Sequence, residues 1–113
     1  MVAELQPAEE DYFVLKPKHS GFFGSTLDTL LRSLGVRRLV LTGIAGNSCV
    51  LFTAGDAYMR DYELFIPRDG TISNTARENR EALKLMKSNL KADTRPCAKI
   101  VFRSLGQRGA KKK

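Results

Sequence analysis

The sequence predicts an α/β fold with a mainly parallel sheet, on three observations. Short apolar runs rich in strand formers alternate with stretches whose apolar residues recur at helical spacing. The order is strand, helix, strand, helix, which right-handed crossovers turn into parallel neighbours. The chain has 113 residues, 42% hydrophobic and 27% charged, so a single domain with a modest core is expected, burying about two-thirds of its unfolded surface.

The elements follow in chain order. Tyr12–Leu15 is an apolar run of strand formers, ended by Lys16-Pro17. After a loop, Leu27, Leu30, Leu31 and Leu34 fall at i, i+3, i+4 and i+7, one face of an amphipathic helix. Ser25 or Thr26 caps its start, and Gly35 stands where a C′ glycine belongs. Arg38–Thr42 reads as a buried strand, followed by the loop Gly43–Ser48. A second helix starts near Asn47 or Ser48 and runs to about Arg60. Tyr62–Ile66 is a third strand, stopped by Pro67. Thr75-x-x-Glu78 is a capping box that opens a helix to Leu90, with Ala82, Leu83, Leu85, Met86 and Leu90 as its apolar stripe. Lys99–Phe102 is a last, edge strand.

Charge narrows the function classes. There are 19 Lys and Arg against 12 Asp and Glu, a net charge of +7. Arg103, Arg108, Lys111, Lys112 and Lys113 lie in the last eleven residues without an acid, leaving 14 basic and 12 acidic side chains elsewhere. Residues 1–102 are therefore read as the domain and 103–113 as a basic, disordered tail. The tail allows weak contact with a polyanion, but no aromatic residue interleaves with its charges to stack on bases. No apolar run approaches the ~20 residues of a membrane span, and no signal peptide is visible. The expectation is a cytoplasmic protein without a membrane partner. One His and two distant Cys supply no metal-ligand cluster, and Gly43–Ser48 lacks the endings of phosphate-binding loops. No metal and no cofactor are expected.

Cys49 is the strongest chemical signal. It follows a strand and a glycine-bearing turn, at the first turn of a helix. Free backbone N–H groups and the positive end of the helix dipole favour thiolate there, and the same N–H groups can hold an oxyanion. In a parallel sheet, ligands bind at the carboxyl ends of strands. Lys16 stands at that end of the first predicted strand, where its ammonium would stabilise the thiolate further. Read without any relative, Cys49 is equally consistent with a small buried hydrophobe and Lys16 with a surface lysine. His19 is the single histidine and reads as a pocket or surface residue, and Cys97 as an incidental thiol.

Three stretches make a resemblance specific: LKPKHSGFFGSTLDTLL, LVLTGIAGNSCV and TAGDAYMRDY. In this order they resemble the isochorismatase-like cysteine hydrolases, which include nicotinamidases, carbamoylsarcosine amidohydrolases and isochorismatases. The resemblance runs from about Asp11 to Arg95. It implies a Rossmann-like, three-layer α/β/α fold and an Asp–Lys–Cys triad. The lysine of the motif Lys-x-x-x-Ser-x-Phe falls on Lys16, with Ser20 and Phe22 following, and the nucleophile falls on Cys49. The resemblance further implies a cis peptide near Ala45-Gly46 and oxyanion donors on the amides of Ser48 and Cys49. Phe22, Phe23 and His19 would wall a substrate pocket.

The family's opening strand, which ends in the general-base Asp, has no counterpart here. Nothing before Glu4 reads as that strand, and Asp11 lies at the wrong end of the Tyr12 run. The metal ligands that nicotinamidases carry in that region are missing with it. The expectation is thus the C-terminal part of a family domain. Loss of a general base costs about 10²–10⁴ in rate. Two functions follow. One is a cysteine hydrolase, weakened or inactive, acting on an amide or vinyl-ether bond of a small molecule. The other is a non-catalytic interaction module that forms a homo-oligomer through an exposed sheet edge.

Overall fold

The structure, a computed structural model, describes residues 6–101. In chain order the elements are α1 (Leu27–Ser33), β1 (Arg38–Val40), β2 (Gly43–Ile44), α2 (Cys49–Met59), β3 (Glu63–Phe65), β4 (Thr71–Ile72) and α3 (Ala76–Leu90), followed by a 3-10 turn at Cys97–Lys99. The strands form two parallel pairs. β1 pairs with β3 in the register Arg38–Glu63, Leu39–Leu64, Val40–Phe65, and β2 pairs with β4 as Gly43–Thr71 and Ile44–Ile72. Asp93 extends the first pair by bridging Phe65 in parallel. The α/β class with parallel strands is thus as expected.

Helical spacing decides what is buried. Val50, Ala54 and Ala57 face inward along α2, and Ala82, Leu83 and Met86 do so along α3. The alanines let α2 lie close to α3 and β3, so that Leu39, Leu64, Ile66 and Met86 fill the centre at 2% exposure or less. Leu31 anchors α1 to the same cluster. Gly35 takes φ +70° after α1, a left-handed position that glycine adopts at little cost. The N-cap of α1 is Thr26, but its side chain makes no capping bond. Ser25 does related work, accepting from Leu27 N–H at 3.2 Å and donating to the Gly21 carbonyl. At α3 the Thr75 hydroxyl accepts from Glu78 N–H at 3.1 Å.

Two expected strands do not form. Tyr12–Leu15 has no strand partner among the described residues, and Tyr12, Phe13 and Leu15 are 58%, 76% and 91% exposed. A run of strand formers becomes a strand only when neighbours take its backbone groups and one face is covered; neither holds here. At the other end, Lys99 N–H bonds Pro96 O and Ile100 N–H bonds Cys97 O, so local turns satisfy the backbone that a ladder would have used. Phe102 and the basic segment 103–113 lie outside the described residues. Among those described, no strand precedes α1. β2 and β4 were not expected: Gly43–Ile44 falls in the expected loop Gly43–Ser48, and two-residue strands such as these are too short to show a period.

Candidate active site

The site is built where β2 hands the chain to α2. Gly43 takes φ +122°, a backbone conformation L side chains rarely adopt, and the peptide between Ile44 and Ala45 is cis. That bond lies one position before the expected Ala45–Gly46, directly after Ile44, the last residue paired with β4. Ser48 caps α2, and Cys49 is its first residue, half-buried.

The 16–25 loop brings Lys16 to this point. Gly21 N–H donates to Thr53 Oγ1 of α2 at 2.9 Å, and Ser20, buried at 7% exposure, accepts from Phe22 N–H at 3.1 Å. Phe22 then drops into the core beside Tyr62, the ring centroids 5.9 Å apart. With its far end pinned this way, the loop carries Lys16 Nζ to 3.7 Å from Cys49 Sγ. The same ammonium donates to Lys18 O at 2.9 Å. Among the described residues neither Lys16 nor Cys49 hydrogen-bonds to a carboxylate.

Phe22 is therefore no pocket wall. It is 5% exposed, with the Arg60 guanidinium 5.0 Å from its ring centroid, and the core takes it because the ring is large and apolar. Phe23 and His19 do line a cavity of about 440 Å³, together with Leu51, Phe52, Asp56 and Met59. His19 leans on Phe52 with centroids 5.6 Å apart. Phe52, Asp56 and Met59 follow Cys49 at three, seven and ten residues, so they continue its helix face away from the thiol. That spacing was available in the sequence and would have found them. Asp56 is paired with Arg60 at 3.2 Å, which leaves the cavity walls largely apolar.

The oxyanion donors need one correction. Ser48 N–H is already spent on Ala45 O at 3.1 Å, so it is not free to bind a substrate oxygen. Gly46 N–H bonds Ile72 O at 2.8 Å, and Asn47 N–H bonds Ser73 Oγ at 3.2 Å. Among the described residues the amides of this turn left without an acceptor are those of Ala45 and Cys49.

The second thiol differs. Cys97 is exposed and free; its backbone N–H donates to Asp69 Oδ1 at 2.8 Å, and that carboxylate beside the thiol holds it above its usual range. Cys49 is free as well. No group of three or more His, Cys, Asp or Glu converges among the described residues. No helix among them is long and apolar enough to cross a membrane.

Comparison with known proteins agrees with this architecture. The isochorismatase domain family model matches residues 1–95. The chain is 50% identical over 93 residues to the uncharacterized isochorismatase family protein YaaI of Bacillus subtilis, a match covering 82% of this chain and 51% of that one. It is 46% identical over 71 residues to the ureidoacrylate amidohydrolase RutB of Klebsiella pneumoniae, covering 63% of this chain and 30% of that protein. The N-carbamoylsarcosine amidase of Thermoplasma acidophilum superposes with a TM-score of 0.80 at 28% identity, over 88% of this chain and 56% of that one. The chain thus spans about half the length of YaaI, and less of RutB.

Proposed function

Because this chain belongs to the isochorismatase family, we propose that it carries the nucleophile side of a cysteine hydrolase site for a small-molecule amide or vinyl ether, with the amide C–N bond favoured. One observation carries the reading: an ammonium stands 3.7 Å from a thiol at the first residue of a helix. Positive charge and helix dipole together stabilise a thiolate. The likeness to an amidohydrolase and an amidase favours the amide.

In this reading Cys49 attacks the carbonyl carbon, and the oxygen, now negative, points at the N–H groups of Cys49 and Ala45. Collapse of that intermediate breaks the C–N bond. The amine departs with the proton that Cys49 lost on becoming a thiolate, and the acyl group stays on sulfur as a thioester. Water then attacks the thioester, the acid leaves, and the thiol is restored. Lys16 stabilises the sulfur anion at both ends of the cycle. The apolar walls supplied by Phe23 and Phe52 take the body of the substrate. The test is to incubate the protein with ureidoacrylate, N-carbamoylsarcosine and nicotinamide, measuring ammonia release and the mass of the intact chain after acid quench. An acyl adduct on the peptide containing Cys49, removed by hydroxylamine, is expected with at least one of them. An adduct confined to Cys97, or ammonia release with no thiol involved, rejects the reading.

A second function, self-association, is favoured by a different observation. Among the described residues β1 has a partner only in β3, and the segment before α1 exposes Tyr12, Phe13 and Leu15. An open strand edge is a template for pairing with another chain, and exposed apolar side chains add surface that association can bury. Sedimentation velocity over a hundredfold concentration range is expected to show a reversible increase in mass. A constant monomer across that range removes this function.

A further inference from the structure

We propose that Ser73 and Asn79 are positioning residues that fasten the turn in front of Cys49, an inference that rests on the reading of Cys49 as nucleophile. A chain of contacts leads from α3 to that turn. The Ser73 hydroxyl donates to Asn79 Oδ1 at 2.7 Å and accepts from Asn47 N–H at 3.2 Å. The Asn79 amide nitrogen donates at 3.3 Å to both the carbonyl and the hydroxyl of Thr71, itself buried. One hydroxyl hydrogen and one amide are thereby used without conflict between donors and acceptors. Next to them Gly46 N–H is held by Ile72 O. Two successive amides of the turn are therefore tied to β4 and the segment after it.

Gly46 shows how tightly this latch closes. A Cβ there would stand 2.2 Å from Asn79 Oδ1 and 3.2 Å from Ser73 Oγ. Asn79 cannot swing aside without releasing Ser73 or Thr71. Glycine at 46 is what lets the amide come so close.

The consequence for the site is a sorting of amides. Those of Gly46, Asn47 and Ser48 are consumed by protein acceptors, while those of Ala45 and Cys49 stay free among the described residues. Loosening the latch changes which amides face outward and where α2 begins. Displacing a reacting group by about 1 Å from a distant mutation costs up to ~10²-fold.

The test uses the full chain with Cys97→Ser, so that one thiol reports, and iodoacetamide as the probe. The readout is the alkylation rate at pH 7 divided by that at pH 10, alongside the melting temperature. This quotient measures how strongly the site stabilises the thiolate and cancels simple accessibility. Ser73→Ala and Asn79→Ala are expected to lower it about three- to tenfold, and Ser73→Thr, which keeps the hydroxyl, to stay within about twofold of the parent. Both alanine variants keeping the parent quotient while melting earlier would mean a structural role only, and would overturn the proposal. Lys16→Ala reports separately on the parent reading. If it leaves the quotient unchanged, the Lys16–Cys49 reading fails, while the Ser73 and Asn79 variants still decide whether the turn is held. Should Ser73→Ala not fold, coupling decides instead. Gly46→Ala is expected to lower the quotient at least about threefold less in an Asn79→Ala background than alone, and equal effects in the two backgrounds would overturn the proposal.

Discussion

In the proposed reaction, Cys49→Ala is expected to lower amide hydrolysis to a small remainder above the uncatalysed rate. Removing a nucleophile removes the covalent route altogether; in well-studied hydrolases the loss reaches about 10⁶ in kcat. What remains after such a change is binding and the oxyanion donors. Here those donors are two amides, Ala45 and Cys49 N–H, and alanine at 49 leaves both in place. Cys49→Ser provides the contrast, because a hydroxyl is far less acidic than a thiol and Lys16 cannot make up the difference. It should be as inactive as the alanine variant, while Cys97→Ser should keep full activity, since the neighbouring Asp69 disfavours the Cys97 thiolate. The measurement is ammonia release, under single-turnover conditions, from whichever amide leaves an acyl adduct on Cys49 of the parent chain. Turnover persisting in Cys49→Ala would take this residue out of the mechanism.

How far the sequence could be read depends on the range of the interactions involved. α1, α2 and α3 were legible because a helix satisfies its own backbone, and its buried face repeats every three or four residues. Leu31 and Met86 therefore announce themselves locally. β1 and β3 were legible as short runs between turn residues. The Tyr12–Leu15 run shows where this fails: its composition is that of a strand, yet pairing is a property of the neighbour, and among the described residues it has none. β4 failed in the opposite sense, being real but too short to leave a pattern. At the site, Lys16 and Cys49 were found through motifs, and the structure sets them 3.7 Å apart across 33 residues of sequence. Phe22 was misplaced because a conspicuous aromatic in a motif reads as a wall when it is in fact the anchor of the loop. Ser48 was misplaced because the Ala45 carbonyl takes its N–H. Ser73 and Asn79 carry no local signal at all, since each acts through a hydrogen bond to a residue 26 or 6 positions away.

Met86→Ala is expected to destabilise the chain by about 2–5 kcal/mol, and Leu85→Ala by less than about 1 kcal/mol. Both residues belong to the apolar stripe read from the sequence, and the structure separates them. Met86 is fully buried, and its carbonyl accepts from Ala92 N–H at 3.2 Å as the chain turns back toward β3. Leu85 is 44% exposed. Truncating Met86 leaves a cavity that the short strands around it cannot close, whereas truncating Leu85 removes surface that water already reaches. With total stability of about 5–15 kcal/mol for a domain and a urea slope of about 1–2 kcal/mol per molar, the Met86 change should lower the urea midpoint by one to several molar. Midpoints followed by far-ultraviolet circular dichroism decide the matter. The same experiment bears on the site, because α3 carries Asn79 at its start and Met86 two turns later. A helix less firmly seated at Met86 holds Asn79 less firmly against Gly46, so the iodoacetamide quotient of folded Met86→Ala should fall with its stability. Equal losses at positions 85 and 86 would mean that α3 is rotated about its axis from the orientation described, and Asn79 could then not reach Ser73 and Thr71 together.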